Sequence, residues 1–392
     1  MTLAGSLAVH GQAHHPLARY RSEFPIFRER LYLNTCSLGA LGERTRRKVA
    51  EFLDLWQSRG ASAWYDVWWA ALGELRTRYA AVIGAAPAEI ALAPSISVAV
   101  STVAEALDYS KRPKVVVTSL DFPTVAYQWL GKERRGIEVV VVESPDGVTV
   151  PVEAIARAVD DRTALVATSH VYFTSGAIQD IRAVAELAHA RGALCLVDAY
   201  QSVGQIPVDA HAAGVDFLTA GGLKWLLGGT GIVFLYVREE LARRLEPTMA
   251  GWFGHRQQFA FDPHALEFHD DARRFELGTP ALAAIYAQLG GLEYIEEIGI
   301  AKIREVTAAL TEDLIGRARA AGFAPKVTAD AAKRSAIVML PMSDPPAAVR
   351  HLAEGGVVAD ARPGHVRLSP FFYNVQDDYV TALERLATHR GH

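Results

Sequence analysis

The run Val215-Asp-Phe-Leu-Thr-Ala-Gly-Gly-Leu-Lys224-Trp-Leu-Leu-Gly-Gly-Thr-Gly231 places a single lysine among small residues. Glycines come before and after Lys224, and solvated lysines rarely lie in such a stretch. An earlier run, Ala193-Leu-Cys-Leu-Val-Asp198-Ala-Tyr-Gln201, is typical of a strand and carries an acid at its C-terminal end. We therefore predict that the amine of Lys224 and the carboxylate of Asp198 are presented from neighbouring strand ends.

An amine and a carboxylate in this arrangement are what pyridoxal 5′-phosphate (PLP) requires. The lysine forms a Schiff base with the cofactor, and the acid keeps the pyridine nitrogen protonated, so that the ring can accept electrons. Gln201 lies three residues after Asp198 and can donate a hydrogen bond to the ring hydroxyl. Asp198 could instead cap a helix, but a cap does not explain the lysine downstream. The sequence therefore predicts PLP as the cofactor and Lys224 as the catalytic residue.

Strand-like and helix-like segments alternate from about residue 86. The strand candidates show little polar alternation, which is expected of strands buried on both faces. This pattern predicts an α/β fold with a mostly parallel seven-stranded sheet flanked by helices. Ligands of such sheets bind at the carboxyl ends of the strands, where Asp198, His170 and Asp121 lie. The seven strand candidates are residues 90–93, 115–119, 138–143, 164–170, 194–198, 217–219 and 231–237.

Four segments are predicted along the chain. Residues 1–25, with His10, His14 and His15, form a flexible leader, and residues 26–85 form an N-terminal segment whose helices border the active site. Residues 86–290 form the large PLP-binding domain, and residues 291–392 form a smaller C-terminal α/β domain. The long helical stretch 281–319 is expected to be interrupted at Ile298-Gly-Ile300, because glycine is a poor helix former. In the small domain we predict strands at 335–340, 357–359 and 366–369, helices at 346–354 and 375–387, and a loop at 360–365.

Composition narrows the functional classes. The 392 residues are 50% hydrophobic and carry a formal net charge of −4, so nothing favours binding to nucleic acid or to an anionic membrane. The two cysteines, Cys36 and Cys195, give neither a disulfide framework nor a metal-binding spacing. No signal peptide and no apolar span of about 18 residues is evident, so the expected compartment is the cytoplasm.

Three further side chains could serve the cofactor or the substrate. The turn Ser95-Ile96-Ser97 opens an apolar helix, and free N–H groups at a helix N-terminus bind anions such as phosphate. Phe122 follows another strand and could stack on a flat ring. Arg367 lies in a strand of the small domain and could hold a carboxylate through two parallel hydrogen bonds. Each feature has an ordinary structural alternative: a serine cap, a core phenylalanine and a structural ion pair.

These residues resemble the class V aminotransferase superfamily, PLP enzymes of fold type I, over roughly residues 30–390. The stretch around Lys224 is similar to the family's lysine motif, and Asp198 stands 26 residues before it. The resemblance implies that Lys224 is the Schiff-base lysine, that Asp198 is the partner of the pyridinium and that Gln201 lies beside the ring hydroxyl. It also implies that Ile96 and Ser97 hold the phosphate.

The same resemblance extends to the substrate and to the assembly. Arg367 becomes the group that binds the substrate carboxylate. Phe275-Glu-Leu-Gly-Thr279-Pro is similar to the family segment whose threonine reaches the cofactor phosphate of the neighbouring subunit. It implies a homodimer with shared active sites.

Several short segments resemble kynureninase within that superfamily. They are Tyr32-Leu-Asn-Thr-Cys36-Ser-Leu-Gly, Asp121-Phe-Pro-Thr and Gly251-Trp-Phe-Gly-His255. They imply a cofactor-stacking role for Phe122, a cofactor contact for Trp252 and His170, and a place near the substrate for Cys36, which could be structural or reactive. The chain departs from the family at Leu223, where a polar residue is usual, and at Trp225, where kynureninase has tyrosine. Its loop 360–365 lacks the mobile cysteine of cysteine desulfurases.

The reaction stays open at this level. The chain is expected to act on a small-molecule α-amino acid through an external aldimine, with lyase-type chemistry (kynureninase-like or carbon–sulfur lyase) or aminotransferase chemistry. A non-catalytic PLP-binding or regulatory member of the family is the alternative, and Leu223 is its only support.

Overall fold

The computed structural model describes residues 15–390, and its centre is a seven-stranded sheet. The strand order is β2-β8-β7-β6-β5-β3-β4. Strands β3 to β7 run parallel, whereas β8 is antiparallel to both of its neighbours. The prediction of a mostly parallel seven-stranded sheet is confirmed. The strands of this sheet are β2 (Ile90–Ala93), β3 (Lys114–Thr118), β4 (Glu138–Val142), β5 (Thr163–Ser169), β6 (Leu194–Asp198), β7 (Phe217–Gly221) and β8 (Val233–Val237).

Two hydrophobic clusters cover the two faces of this sheet. Successive residues of a strand point to opposite faces, so Val116 joins one cluster while Val115 and Val117 join the other. Both faces are apolar because helices cover both, which explains why the strands read as continuous apolar runs. Cys195 is a buried core residue of β6.

The helices connect the strands and build the outer layers. Their bounds are α1 (Glu43–Arg59), α2 (Trp68–Val82), α3 (Ile96–Ala106), α4 (Pro123–Leu130), α5 (Val152–Ala158), α6 (Ile181–His189), α7 (Ala210–Ala213), α8 (Glu239–Arg244), α9 (Leu282–Ile298), α10 (Ile300–Ala320), α11 (Pro345–Glu354) and α12 (Gln376–Arg390). Gly299, with φ of 79°, separates α9 from α10, as expected for this position. The predicted domain boundary at residue 291 therefore falls inside α9. The interruption between the two helices comes later, at Gly299.

The C-terminal part contains its own antiparallel sheet with the order β11-β12-β9. These strands are β9 (Val338–Pro341), β11 (Asp360–Arg362) and β12 (His365–Leu368), while β10 (Val357–Val358) pairs with β1 (Leu31–Tyr32). The predicted loop at 360–365 is therefore wrong, since these residues form a tight hairpin. Strand β11 was not predicted because it contains polar residues and leads into a Pro-Gly turn. It pairs on one side only, with β12.

Part of the predicted flexible leader is folded. Residues 16–23 form a 3₁₀ helix, and Leu17, Tyr20 and Phe24 are buried. The Tyr20 hydroxyl donates to Glu297 Oε1 at 2.7 Å, which ties this segment to α9. The leader prediction is thus wrong for residues 15–25, because three apolar side chains at helical spacing outweigh the polar residues around them. His10 and His14 lie outside the described residues.

Candidate active site

The carboxyl ends of the central strands meet at a cavity of about 430 Å³. Loops after β2, β3, β5, β6 and β7 contribute to it, together with the N-terminal segment at Cys36 and Ser37 and the C-terminal hairpin. Lys224, Asp198 and Arg367 all line this one cavity. Sequence positions from nearly the whole chain therefore converge at the edge of the sheet where ligands of α/β folds bind.

Lys224 stands in the loop that follows β7. The N-terminal segment approaches it so closely that a Cβ at Gly39 would lie 2.2 Å from the Lys224 carbonyl oxygen, and Gly39 N donates to Leu223 O at 2.8 Å. The ammonium nitrogen lies 4.6 Å from the centre of the Tyr200 ring. Burial lowers the pKa of Lys224 to about 8, and the nearby Asp198 carboxylate opposes this shift. Arg367 and Arg362 add to the lowering. A neutral, nucleophilic amine is thus accessible near neutral pH.

We expect this lowered pKa to govern the reaction of the cofactor-free protein with PLP. An aldehyde reacts with the neutral amine, so the rate of covalent attachment should rise up to about pH 8 and then level off. The rate can be measured by reductive trapping and mass spectrometry across the pH range. Replacing Arg367 by Gln removes a cation that lowers the Lys224 pKa, and the midpoint should move upward. A rate that keeps rising to the ordinary lysine value of 10.5 would contradict the prediction.

Asp198 ends β6 with its carboxylate facing the cavity. Oδ1 accepts a hydrogen bond from the Tyr200 main-chain N–H at 2.9 Å, whereas Oδ2 has no partner among residues 15–390. Burial raises the pKa of Asp198, while the Tyr200 N–H and the charge of Lys224 lower it. A buried carboxylate with a free oxygen is costly unless a cation pairs with it, and a protonated pyridine nitrogen is such a cation.

Gln201 is held in place by Trp225. The indole N–H of Trp225 donates to Gln201 Oε1 at 2.9 Å, and because indole nitrogen only donates, this contact determines the orientation of the amide. Gln201 Nε2 then donates to Cys36 O at 2.9 Å and keeps a second N–H. Trp225 is fully buried and does not line the cavity, so this departure from kynureninase acts on Gln201 rather than on the substrate space.

Two helix N-termini form the end of the cavity that suits a phosphate. Helix α3 begins at Ile96, and Ser95 caps it by accepting from Val98 N. Ser97 Oγ lies 2.6 Å from Thr124 Oγ1 in the first turn of α4. Hydroxyls and free N–H groups at two positive helix ends provide the donors that a dianion requires. Ser95 thus acts as the cap, which leaves Ser97 and Ile96 N–H for a ligand.

Two aromatic rings stand beside these helix ends. Phe122 is 47% exposed although it is a large apolar side chain, and its ring meets that of Phe173 edge-on at 5.2 Å. Both rings line the cavity. An open aromatic face at this position is suited to stacking on a flat ring.

Arg367 enters the cavity from β12 and is only 1% exposed. Its Nη1 donates to Phe173 O at 3.0 Å, and its Nη2 donates to Ser37 Oγ at 2.7 Å and to Asp360 Oδ2 at 2.5 Å. Its Nε is buried and has no partner among the described residues. A buried guanidinium with an unused donor is suited to binding an anion.

The structure does not bring three of the predicted residues into this cavity. His170 is buried after β5, between the cavity residues Ser169 and Val171, and burial lowers its pKa to about 4. Trp252 is 41% exposed, donates to Gln258 O and lies outside the cavity. Thr279 is exposed and lines an adjoining depression. His170 lies in a bend just after β5, and its side chain is not among those that line the cavity.

Sequence reasoning missed several residues that line the cavity. They are Ser37, Thr124, Tyr200, Thr230 and Arg362. Tyr200 and Thr124 lie inside the motifs around Asp198 and Phe122, so their positions carried a signal. No feature of the sequence indicated Arg362, because the hairpin that positions its side chain was not predicted.

These residues fit PLP on structural grounds. Asp198 Oδ2 lacks a partner among the described residues, Lys224 is a half-buried amine with a lowered pKa, and the N-terminus of α3 together with the Ser97–Thr124 hydroxyl pair supplies donors. The fold and the site together define the class of fold type I PLP enzymes.

Comparisons with known proteins agree with this class of enzyme. Residues 43–376 match the aminotransferase class-V family, and the chain belongs to that family. It is 34% identical to the uncharacterized aminotransferase YcbU of Bacillus subtilis (strain 168), over 96% of this chain and 99% of that protein. It is 30% identical to a kynureninase of Bacillus mycoides (strain KBAB4), over 95% of this chain and 92% of that protein.

A solved structure supports the fold. The apo structure of a cysteine desulfurase from Thermococcus onnurineus NA1 superposes with a TM-score of 0.87 at 22% identity, covering 98% of this chain and 100% of that one. The chain is thus a PLP-dependent enzyme of the class V aminotransferase family. No helix within residues 15–390 is long and apolar enough to cross a membrane.

Proposed function

We propose that this enzyme acts on the α-amino group of a small amino acid and that its chemistry is of the lyase or the aminotransferase type. The observation that carries the proposal is the convergence of Lys224, Asp198 and Arg367 on one cavity. When bound, PLP supplies an aldehyde and an electron-accepting ring. Ile96 and Ser97 would hold its phosphate, Phe122 would cover one ring face, and Gln201 would donate to the ring hydroxyl.

The roles of the chain's own groups follow from their positions. Arg367 binds the substrate carboxylate and thereby orients the bonds at Cα relative to the ring. The Lys224 amine removes the proton from Cα and returns it as a general acid. Asp198 would pair with the protonated pyridine nitrogen of the bound cofactor and hold that proton in place. The surrounding apolar walls at Phe173 and Leu223 limit the access of water.

Product analysis distinguishes the two chemistries. The purified holoenzyme would be incubated with a panel of amino acids in a single turnover. Transamination converts the cofactor to its amine form and releases an oxo acid, whereas a lyase leaves the cofactor unchanged and releases a fragment with pyruvate, alanine or ammonia. We expect the lyase result, since three segments resemble kynureninase. Stoichiometric conversion of the cofactor to its amine form would contradict that expectation.

A non-catalytic PLP-binding member of the family is the second candidate. Leu223 supports it, because an apolar side chain lines the cavity where a polar cofactor contact is usual. Incubation with the same panel of amino acids tests this candidate, since a non-catalytic protein would bind PLP and yield no product from any amino acid.

We also propose a homodimer with shared sites. Thr279 and Trp252 lie outside the Lys224 cavity of their own chain, and Trp252 packs against Phe259 and Phe261 in a cluster of exposed rings. These positions are suited to contact with a second copy. A solution mass of 42.6 kDa, that of one chain, would contradict the proposal.

A further inference from the structure

The C-terminal hairpin presents three charged side chains on one face. Asp360 and Arg362 are two residues apart on β11, so they point to the same side of the strand. Arg367 lies directly opposite Asp360 in the antiparallel ladder, and directly opposed residues share a face. Arg362 and Arg367 both line the Lys224 cavity. The cavity therefore contains two arginines, and the family resemblance gives a role to only one of them.

A single carboxylate connects the two guanidinium groups. Asp360 Oδ2 accepts from Arg367 Nη2 at 2.5 Å, and Asp360 Oδ1 accepts from Arg362 Nη1 at 2.7 Å. Burial raises the pKa of Asp360, but the hydrogen bond from Ser37 and the charges of Arg367 and Arg362 outweigh it, so the pKa is lowered. One negative charge shared by two arginines leaves the set with a net positive charge. Two anchored cations beside a cavity favour ligands that bring negative charge.

Arg362 has more unused donors than Arg367. Its Nη1 reaches Asp360 and its own neighbour, the Ala361 carbonyl, at 2.8 Å. Among residues 15–390, its Nε and Nη2 have no hydrogen-bond acceptor. Its side chain is 28% exposed and lines the cavity, so it is partly shielded from water and accessible to a ligand there. A role limited to orienting Asp360 would not require the Arg362 side chain to line the cavity.

We propose that Arg362 binds a second anionic group, at the end of the substrate side chain, so that the substrate is an α-amino acid with an acidic side chain. The inference rests on the proposed function, in which Arg367 takes the α-carboxylate. Because one carboxylate spans both guanidinium groups, the two anions of the substrate need only a short spacer, such as that of aspartate or glutamate. The second group is a carboxylate or another oxyanion, which matches the planar fork of the guanidinium.

The test compares isosteric acids and amides. Aspartate, asparagine, glutamate and glutamine, in both enantiomers, would be titrated into the holoenzyme, and apparent dissociation constants would be read from the visible absorption of the cofactor. The variants are Arg362→Gln, Arg362→Lys and the matched control Arg350→Gln. Arg350 is an exposed residue of α11, which packs on the same hairpin, and it does not line the cavity.

We expect the wild type to bind an acid about tenfold or more tightly than the matching amide, because charge-assisted hydrogen bonds are stronger than neutral ones. Arg362→Gln should weaken binding of the acid by a similar factor and change binding of the amide less than about twofold. Arg362→Lys should retain part of the preference, since it keeps the charge, and Arg350→Gln should match the wild type. Melting temperatures of the variants report whether each one folds.

Two results would overturn the inference. The first is that the wild-type enzyme binds amides as tightly as acids, a result that can be obtained without any variant. The second is an Arg362→Gln variant that weakens acids and amides equally, since that result places Arg362 on the α-carboxylate or on the fold. If no amino acid changes the absorption of the cofactor, the proposed function fails together with the inference, and this outcome differs from binding without acid preference.

Discussion

Replacing Lys224 by Ala should abolish covalent attachment of PLP and reduce turnover by at least about 10³-fold, because one side chain serves both as the nucleophile and as the acid and base at Cα. Lys224 is half-buried and burial lowers its pKa to about 8, so no exposed lysine of ordinary basicity can replace it. The absorption band of the attached cofactor should disappear, and mass spectrometry after reductive trapping should find only the unmodified chain.

Two companion variants separate chemistry from folding. Lys224→Arg keeps the positive charge beside Asp198 but cannot react with the aldehyde, so it should be as inactive as Lys224→Ala. Lys114→Ala removes a buried lysine that starts β3 at the opposite edge of the sheet and pairs with Asp160 at 2.7 Å. That variant should be less stable but should still attach the cofactor. Attachment that persists in Lys224→Ala would refute the assignment of the catalytic lysine.

Replacing Asp198 by Asn should reduce turnover by about a hundredfold or more and weaken PLP binding by about tenfold or more. The amide that replaces the carboxylate is neutral, so the pyridine nitrogen would lose the anion that keeps it protonated, and the ring would accept electrons less well. Asp198 Oδ2 has no partner among residues 15–390, so the amide adds no clash within that part of the chain. PLP affinity can be measured by equilibrium titration of the cofactor-free protein, independently of any assay of turnover.

Asp121 supplies the matched control. It is also buried at the carboxyl edge of the sheet, where it accepts from Thr118 N at 2.8 Å and from Ser169 N at 2.6 Å, and burial raises its pKa to about 6. It does not line the cavity. Asp121→Asn should therefore lower the melting temperature with little change in PLP affinity at a temperature where it is folded. Equal losses of affinity in both variants would mean that the effect comes from folding rather than from the charge at the ring.

The central sheet could be predicted from local pattern. All seven of its strands were found within two residues of the expected bounds, since strands covered by helices on both faces are apolar runs and glycine-rich or charged turns separate them. The break at Gly299 followed from glycine's poor helix propensity. The N-terminal 3₁₀ helix and the hairpin at β11 were not predicted, because short elements in polar surroundings depend on tertiary contacts such as those of Tyr20 with Glu297.

Some positions of the candidate site could likewise be predicted from local motifs, and others could not. The positions of Lys224, Asp198 and Ser97 at the cavity could be predicted from the sequence, because each lies at or just after the end of a strand and parallel strands bring such ends to one edge. His170 follows a strand as well, yet it does not line the cavity, because sequence alone does not reveal which side chains after a strand face the cavity.

The sequence by itself determined the fold class, the cofactor chemistry and the family, since all three depend on local motifs and on their order along the chain. Only the tertiary structure decided which charged side chains come together at the cavity. Asp360 and Arg362 become neighbours of Arg367 through the register of a hairpin, and Ser37 reaches them from the other end of the chain. Such contacts join residues that are distant in sequence, and their geometry depends on packing rather than on any local pattern.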